Sequence, residues 1–185
     1  METIHITKIQ VAPEAVTVDY TRQDGTTPGE TVHKECQAIP HADLLAAFRR
    51  LAPHLAILAE VRGVPADFVE GLAEYDDRKL LQLIGEGVKV HGVTIRYGAE
   101  DARTVKISGS KSAELGAIAF KSPAVLDSGN TKYPYAAHLG KAIDALTREV
   151  RAYLFEGKAA IVQGNLFDGK TAPDPQAQAP AGSAS

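Results

Sequence analysis

The sequence predicts an α+β protein in which antiparallel strands are followed by an amphipathic helix, an order that occurs twice along the chain. Two observations predict this class: apolar residues alternate with polar ones in two separate regions, and each region is followed by apolar residues at helical spacing. A third observation is that several strands come before each helix. This order differs from the strand–helix alternation of parallel sheets and favours helices packed on one face of an antiparallel sheet.

The first region is predicted to form three strands. Apolar residues alternate from Ile4 to Tyr20, and a turn at Pro13 divides this run into two strands. A turn-rich loop, RQDGTTPGE, separates them from a third strand in TVHKECQAI.

A helical region is predicted after these strands. Large apolar residues from Leu44 to Leu58 recur at helical spacing. Pro40 lies near the first turn, where its missing N–H costs little, whereas Pro53 should kink or divide the helix because it removes a backbone hydrogen bond. Residues 61–85 are open to more than one interpretation, since they contain a predicted short helix and a stretch that fits either a helix or a strand.

The second region repeats the pattern. Alternation from Val88 to Tyr97 slips by one residue near Gly92, which predicts a β-bulge. Further strands are predicted in RTVKISGS and GAIAFKSPAVL, and ISGSKSA, residues 107–113, is interpreted as a polar hairpin turn rather than a phosphate-binding loop. The final amphipathic helix follows Tyr133 and ends before the glycine stop at Gly157.

We predict one domain, residues 1–160, with two similar halves at 1–60 and 86–158 joined by 61–85. The halves contain short matches such as VTVDY and VTIRY. Such matches come either from an internal duplication or from the shared sequence preferences of strands and helices. A peptide motif is predicted at 161–168, and residues 169–185, which are rich in Pro, Gln, Ser and Gly, are predicted to be a disordered tail.

Composition excludes several classes of protein. The chain of 185 residues has a formal net charge of −3 and a pI near 6.1, which exclude a strongly basic, histone-like binder but permit a local basic face. Its single cysteine, Cys36, excludes an intramolecular disulfide and a cysteine-rich zinc site. No secretory signal and no bilayer-spanning apolar run are visible, so a soluble, cytoplasmic protein without a membrane partner is expected.

No catalytic, metal or cofactor site is predicted. His33, Cys36 and His41 have a spacing loosely typical of metal ligands, but strand alternation places His33 and Cys36 on opposite faces. The triplet EGK, residues 156–158, resembles the end of a metal-dependent nuclease motif, but here it follows a helix instead of lying on a strand. The chain is therefore predicted not to be an enzyme.

Basic and aromatic residues of the second region are the candidates for binding nucleic acid. Cations contact phosphates and aromatic rings stack on bases, each stack contributing about 1–3 kcal/mol. Alternation groups Arg103 with Val105 rather than with Lys106, so these side chains do not all share one face. The alternative is that they are ordinary outward positions of a half-solvated sheet. The candidates are Lys89, Arg96, Tyr97, Arg103, Lys106, Lys111 and Lys121.

The order of elements from Ile4 to Leu154 resembles the Whirly family of single-stranded-DNA-binding proteins, in which curved sheets bind the strand. Repeated units of strands and a helix also occur, in a different order, in sliding clamps. The Whirly resemblance implies that the sheet binds single-stranded DNA. It rests on element order without a residue motif, so it assigns no functional residue.

The sequence QGNLFD, residues 163–168, is similar to the peptide with which many bacterial replication and repair proteins bind the sliding clamp. Gln163, Leu166 and Phe167 match that peptide, and Gly164 departs from it where leucine is preferred. The resemblance implies that the apolar pair fills a pocket on the clamp or on another replication protein. Alternatively, these residues form a short terminal strand on their own domain or bind some other partner.

Together these patterns predict a non-enzymatic accessory protein of DNA metabolism that binds single-stranded DNA. The C-terminal quarter, in which the helix end YLFEGK is followed by a tail with Gln, Leu and Phe, also resembles small uncharacterised phage proteins from replication and recombination regions, which implies a phage origin. The alternative is a protein-interaction module, such as a phage-encoded inhibitor of a host factor, with no nucleic-acid binding and an apolar or acidic sheet face. A homo-oligomer is compatible with either function.

Overall fold

The computed structural model describes residues 3–23, 29–60, 87–98, 102–129 and 131–158. These residues form one antiparallel sheet with helices packed against one of its faces, which confirms the predicted α+β class. The predictions for 61–85, 161–168 and 169–185 lie outside the described residues. The described residues form these elements, in chain order: β1 (Thr3–Ala12), β2 (Ala15–Gln23), β3 (Glu30–Cys36), α1 (Ala42–Arg49), α2 (Ala52–Leu58), β4 (Val88–Tyr97), β5 (Arg103–Ala113), β6 (Gly116–Lys121), β7 (Val125–Leu126) and α3 (Ala136–Phe155).

The two groups of strands lie side by side in one continuous sheet. The strand order is β3-β2-β1-β4-β5-β6, and the short β7 also pairs with β5. The central pair is β1 with β4, in which Lys8–Gln10 are in register with Gly92–Thr94. Each half therefore contributes a meander of hydrogen-bonded neighbours, and the halves join through this short central contact.

The sheet has an approximate two-fold arrangement about its centre. Ile9 pairs with Val93, and each follows a β-bulge by two positions, at Thr7 in β1 and at His91 in β4. The bulge in β4 confirms the phase slip predicted near Gly92. The two-fold arrangement relates β1 to β4. The similar sequences VTVDY and VTIRY lie instead in β2 and β4, so the sequence match does not follow this arrangement.

Proline divides the first helical region, as predicted. α1 starts after His41, whose Nδ1 accepts a hydrogen bond from the backbone N–H of Asp43 at 3.2 Å, and it ends at Arg49. α2 begins at Ala52 with Pro53 in its first turn. A first-turn N–H has no partner within a helix, so Pro53 starts α2 without breaking a helical hydrogen bond.

The hydrophobic core lies between the helices and one face of the sheet. Alternate residues of the central strands point into it, such as Val105 and Ile107 of β5. Gly109, on the same side of β5, lies so close to α2 that a Cβ there would be 2.6 Å from Cδ2 of Leu55. The fully buried residues of α3 recur at helical spacing: Leu139, Ile143, Leu146 and Val150.

One turn predicted from the sequence is wrong. Residues 107–113, interpreted as a polar hairpin turn, belong to β5, which continues to Ala113. The turn falls at Glu114 and Leu115, and Gly116 follows with a φ of +133°, which glycine adopts without steric cost. The serines that suggested a turn lie on the face of the strand that the described helices leave uncovered.

A histidine is buried between the helices. His54 of α2 has no solvent exposure, and its Nδ1 lies 2.6 Å from the hydroxyl oxygen of Tyr133. Its Nε2 has no hydrogen-bond partner among the described residues. Burial, together with a smaller effect of the nearby charge of His138, lowers the pKa of His54 from 6.5 to about 3. The imidazole is therefore neutral in the folded protein near neutral pH.

We expect His54 to make folding stability depend on pH. The unfolded chain binds a proton at this histidine below about pH 6.5, whereas the folded chain binds it only near pH 3. Its contribution to stability is therefore complete above pH 6.5 and is lost as the pH falls toward 3. The expected loss from this group is about 1.4 kcal/mol per pH unit between about pH 6 and 4.

Urea unfolding of the wild type and of His54→Gln across this pH range measures the effect. Glutamine does not titrate, so the pH slope of the unfolding free energy should fall by about 1.4 kcal/mol per unit in the variant. Ile39→Gln is the control, because Ile39 is 60% exposed and neither side chain titrates, so the slope should stay that of the wild type. Equal slopes in wild type and His54→Gln would show that folding does not lower the pKa of His54.

Candidate nucleic-acid interface

The face of the sheet opposite the helices carries the candidate site. In the part of the chain that the structure describes, the helices and the core residues lie on the other face. Alternation leaves every second side chain of each strand on the uncovered side. We refer to this uncovered side of the sheet as the open face.

Within the described residues, five cations share the open face, and together we call them the basic face. Lys106 of β5 pairs with Thr94 of β4, which pairs in turn with Lys8 of β1, so one row of side chains crosses three strands. The side chain of Lys8 is 44% exposed, and the other four residues are exposed as well. The members of the basic face are Lys8, Lys89, Arg96, Lys106 and Lys121.

Two of the other members of the basic face, Arg96 and Lys121, flank Lys106 at diagonal positions. Arg96 is paired with Thr104, and Lys121 of β6 is paired with Ser108. Thr104 and Ser108 lie two positions on either side of Lys106 along β5, so all three point to the open face. Diagonal neighbours in a sheet are about 7–8 Å apart, within reach of long side chains. Arg96, Lys106 and Lys121 therefore form one cluster instead of isolated charges, and Lys89 lies on the same face opposite Ser110.

Carboxylates on the open face lie toward its other end. Asp19 of β2 is 2.6 Å from Nδ1 of His33 and 4.0 Å from Nζ of Lys8, and Glu35 lies on β3. The strands β4, β5 and β6 contain no acidic residue. Among the described residues, the members of the basic face other than Lys8 form no ion pair. Positive charge is therefore concentrated over β4–β6.

Hydroxyl groups lie between these cations. Oγ of Ser108 donates to the backbone carbonyl of Gly92 at 3.2 Å, and Oγ of Ser110 lies 2.6 Å from Nε2 of His91. Thr94 and Thr104 are half-buried on the same face. Lysine, arginine and hydroxyl side chains are the usual contacts of phosphate oxygens in protein–nucleic acid complexes. The chemistry of the open face thus suits a phosphate backbone.

Arg103 lies on the helix side of the sheet and is not part of the basic face. Its guanidinium is 2.7 Å from a carboxylate oxygen of Asp127 and 2.6 Å from one of Asp144. Burial raises the pKa of Asp127, and the charge of Arg103 acts in the opposite direction. The grouping of Arg103 with Val105, expected from alternation, matches this placement. Arg103 supports the fold instead of the open face.

Tyr97 and Lys111 are also separate from the basic face. The hydroxyl of Tyr97 donates to the backbone carbonyl of Ile6 at 3.2 Å, and its ring contacts His5 edge to face at a centroid distance of 4.5 Å. Burial raises the pKa of Tyr97. Lys111 is exposed, but its pairing with Val88 places it on the helix side of the sheet. Tyr97 is therefore not displayed as a stacking platform for bases.

Lys8 is a candidate that sequence reasoning missed. It belongs to the first region, and only the pairing of β1 with β4 brings it beside Thr94. No local pattern signals this pairing. The predicted partner-binding residues Gln163, Leu166 and Phe167 lie outside the described residues, so their role stays a prediction.

The described residues contain neither a metal-binding cluster nor a candidate membrane-spanning helix. No group of three or more His, Cys, Asp or Glu residues is arranged to hold a metal ion. No helix there combines the length and apolar character needed to cross a bilayer. Comparisons with protein-family models, with curated proteins and with solved structures give no match for this chain.

Proposed function

We propose that the protein binds single-stranded DNA through the basic face, as a non-enzymatic accessory factor of DNA metabolism. The observation that carries the proposal is the cluster of cations on an uncovered sheet surface, over strands that contain no acidic residue. A surface with one sign of charge attracts the phosphate backbone and accelerates association. Because the whole chain has a net charge of −3, this excess of cations on one surface is a local feature.

Phosphate contacts are proposed to dominate the binding. The basic face combines ammonium and guanidinium groups with hydroxyls such as those of Thr94 and Ser108, whereas Tyr97 is half-buried. Contacts to phosphates fix the position of a nucleic acid without reading its sequence. A flexible single strand can follow the twist of the sheet, whereas a stiff duplex would have to bend to do so. We therefore favour single strands of any sequence as the ligand.

A protein-interaction module is supported less well by the same surface. Such a module should present an apolar or acidic sheet face. The exposed large hydrophobic residues in the described part of the chain lie elsewhere, in loops, in α3 or on the helix side of β6: Ile39, Leu115, Ile118 and Phe155. Binding of a sliding clamp through QGNLFD remains a separate prediction from the sequence.

Fluorescence anisotropy with an unstructured oligonucleotide tests the proposal. Each phosphate contact on a single strand contributes about −0.7 to the slope of log K against log salt, so about five cations give a slope near −3.5. Affinity should then fall roughly a hundredfold between about 50 and 200 mM salt. A duplex of the same length should bind more weakly at equal salt. If the oligonucleotide shows no salt-dependent binding at micromolar protein, the proposal is wrong.

A further inference from the structure

The β5–β6 hairpin presents a strand edge that is unpaired within the described residues. β6 is the last strand in the sheet order. Every residue from Lys111 to Ala119 is exposed, so the hairpin extends past the helix layer. Leu115 is 103% exposed and Ile118 is 61% exposed. A two-stranded ribbon is marginally stable alone, and an open edge of this kind is a template for pairing with another strand.

The other edge of the same sheet is protected against such pairing. β3 has the sequence ETVHKEC, in which charged or titratable side chains occupy Glu30, His33, Lys34 and Glu35. Charged residues on an edge strand discourage the approach of a second strand. β6 has the sequence GAIAFK, with Lys121 at its end as its one charged residue. The contrast indicates that β6 is the edge available for association.

We propose that β6 pairs with β6 of a second copy of this chain, in an antiparallel, two-fold dimer centred on Ile118. In this register Ile118 lies opposite its own counterpart. Ala117 lies opposite Ala119, and Gly116 lies opposite Phe120. Small side chains let the two strands approach closely, and a glycine opposite an aromatic residue is a favourable pair across an edge. The strand is thus complementary to itself.

The charges at the ends of the strand agree with the same register. Lys121 lies opposite Leu115 of the second copy and beside Glu114 of that copy, so no like charges are opposed. A two-fold axis perpendicular to the sheet keeps the open faces of both copies on the same side. The dimer would therefore place two basic faces on one continuous surface, with Lys121 of each copy about 10 Å along the strand from the axis.

The small size of the contact favours a weak, reversible dimer over a permanent one. A six-residue strand, Gly116–Lys121, buries less than the roughly 800 Å² per partner of a standard interface. We therefore expect a reversible dimer with a Kd on the order of 10 µM. Association does not require nucleic acid, so its measurement is independent of the proposed function.

Sedimentation equilibrium of the full chain between about 1 and 200 µM tests this inference. Ile118→Lys places like charges opposite each other at the centre of the contact and should raise the Kd at least tenfold. Ile39→Lys is the matched control, because Ile39 is 60% exposed but lies outside the sheet. It should dimerise like the wild type. A wild type that stays monomeric up to 200 µM, or an Ile118→Lys variant that dimerises normally, would overturn the proposal.

Oxidative cross-linking tests the register. In a Cys36→Ser background, Ile118→Cys places two thiols at directly opposed positions, where Cα separations of about 4.5–5.5 Å suit a disulfide. Leu115→Cys is more exposed, but its thiol would lie opposite Lys121 instead of opposite itself. We expect covalent dimers from Ile118→Cys to form much faster than from Leu115→Cys. The reverse order would overturn the register centred on Ile118.

Discussion

Replacing both Arg96 and Lys106 by glutamate should reduce the affinity for single-stranded DNA by ten- to a hundredfold at about 100 mM salt. These residues lie at the centre of the basic face, on the neighbouring strands β4 and β5. The double variant removes two phosphate contacts and adds two repelling charges. Because both side chains are exposed, the fold should be retained, and thermal unfolding can verify this. Anisotropy titrations with a labelled oligonucleotide measure the affinity.

A matched control distinguishes the effect of charges on the basic face from the effect of the net charge of the protein. Lys141→Glu with Arg148→Glu changes the net charge by the same amount, but both residues are exposed on α3, on the helix side of the sheet. This control should retain affinity within about threefold, since exposed charges farther apart than a Debye length of about 10 Å are largely screened at 0.1 M salt. Equal losses in both double variants would mean that net charge, and not the basic face, governs binding.

The neutral variant Arg96→Gln/Lys106→Gln gives a second measure of the same contacts. Loss of two phosphate contacts should reduce the magnitude of the salt slope by about 1.4. An unchanged slope would place the DNA elsewhere on the protein, even if the affinity fell.

Local sequence patterns predict most elements of the fold because each depends on residues close together in the chain. Alternation identifies β1 and β2, and Pro53 correctly divides the first helical region. The misplaced turn at 107–113 has a physical cause: serine and lysine are typical both of turns and of the uncovered face of a strand. Composition alone does not separate these two environments.

Contacts between the halves cannot be predicted in this way. Ile9 and Val93 pair at the centre of the sheet, and nothing in either local sequence specifies the partner. The same pairing brings Lys8 into the basic face and sets the carbonyl of Ile6 beside the hydroxyl of Tyr97. Alternation placed Arg103 on the Val105 side, but it does not reveal the carboxylates that meet it there. The place of Lys8 on the basic face therefore depends on a distant partner that the local sequence does not reveal.

Arg103→Met should destabilise the folded protein by about 3–5 kcal/mol at pH 7. The guanidinium joins Asp127 on the chain after β7 with Asp144 on α3, and Asp127 is only 1% exposed. Removing one partner of a buried ion pair leaves the other charge without compensation. Urea unfolding measures the loss. Asp144→Asn is the control, because Asp144 is 56% exposed and its pair with Arg103 should contribute less than about 1 kcal/mol.

The pH dependence of this loss identifies its cause. Burial already raises the pKa of Asp127, and removing Arg103 should raise it further. The folded variant then holds a proton that the unfolded chain releases above about pH 4, so its stability relative to the wild type should increase as the pH falls from 7 toward 4. A deficit that is independent of pH would indicate lost packing instead of an unpaired Asp127. Because Arg103 lies on the helix side, the folded variant should still bind DNA like the wild type.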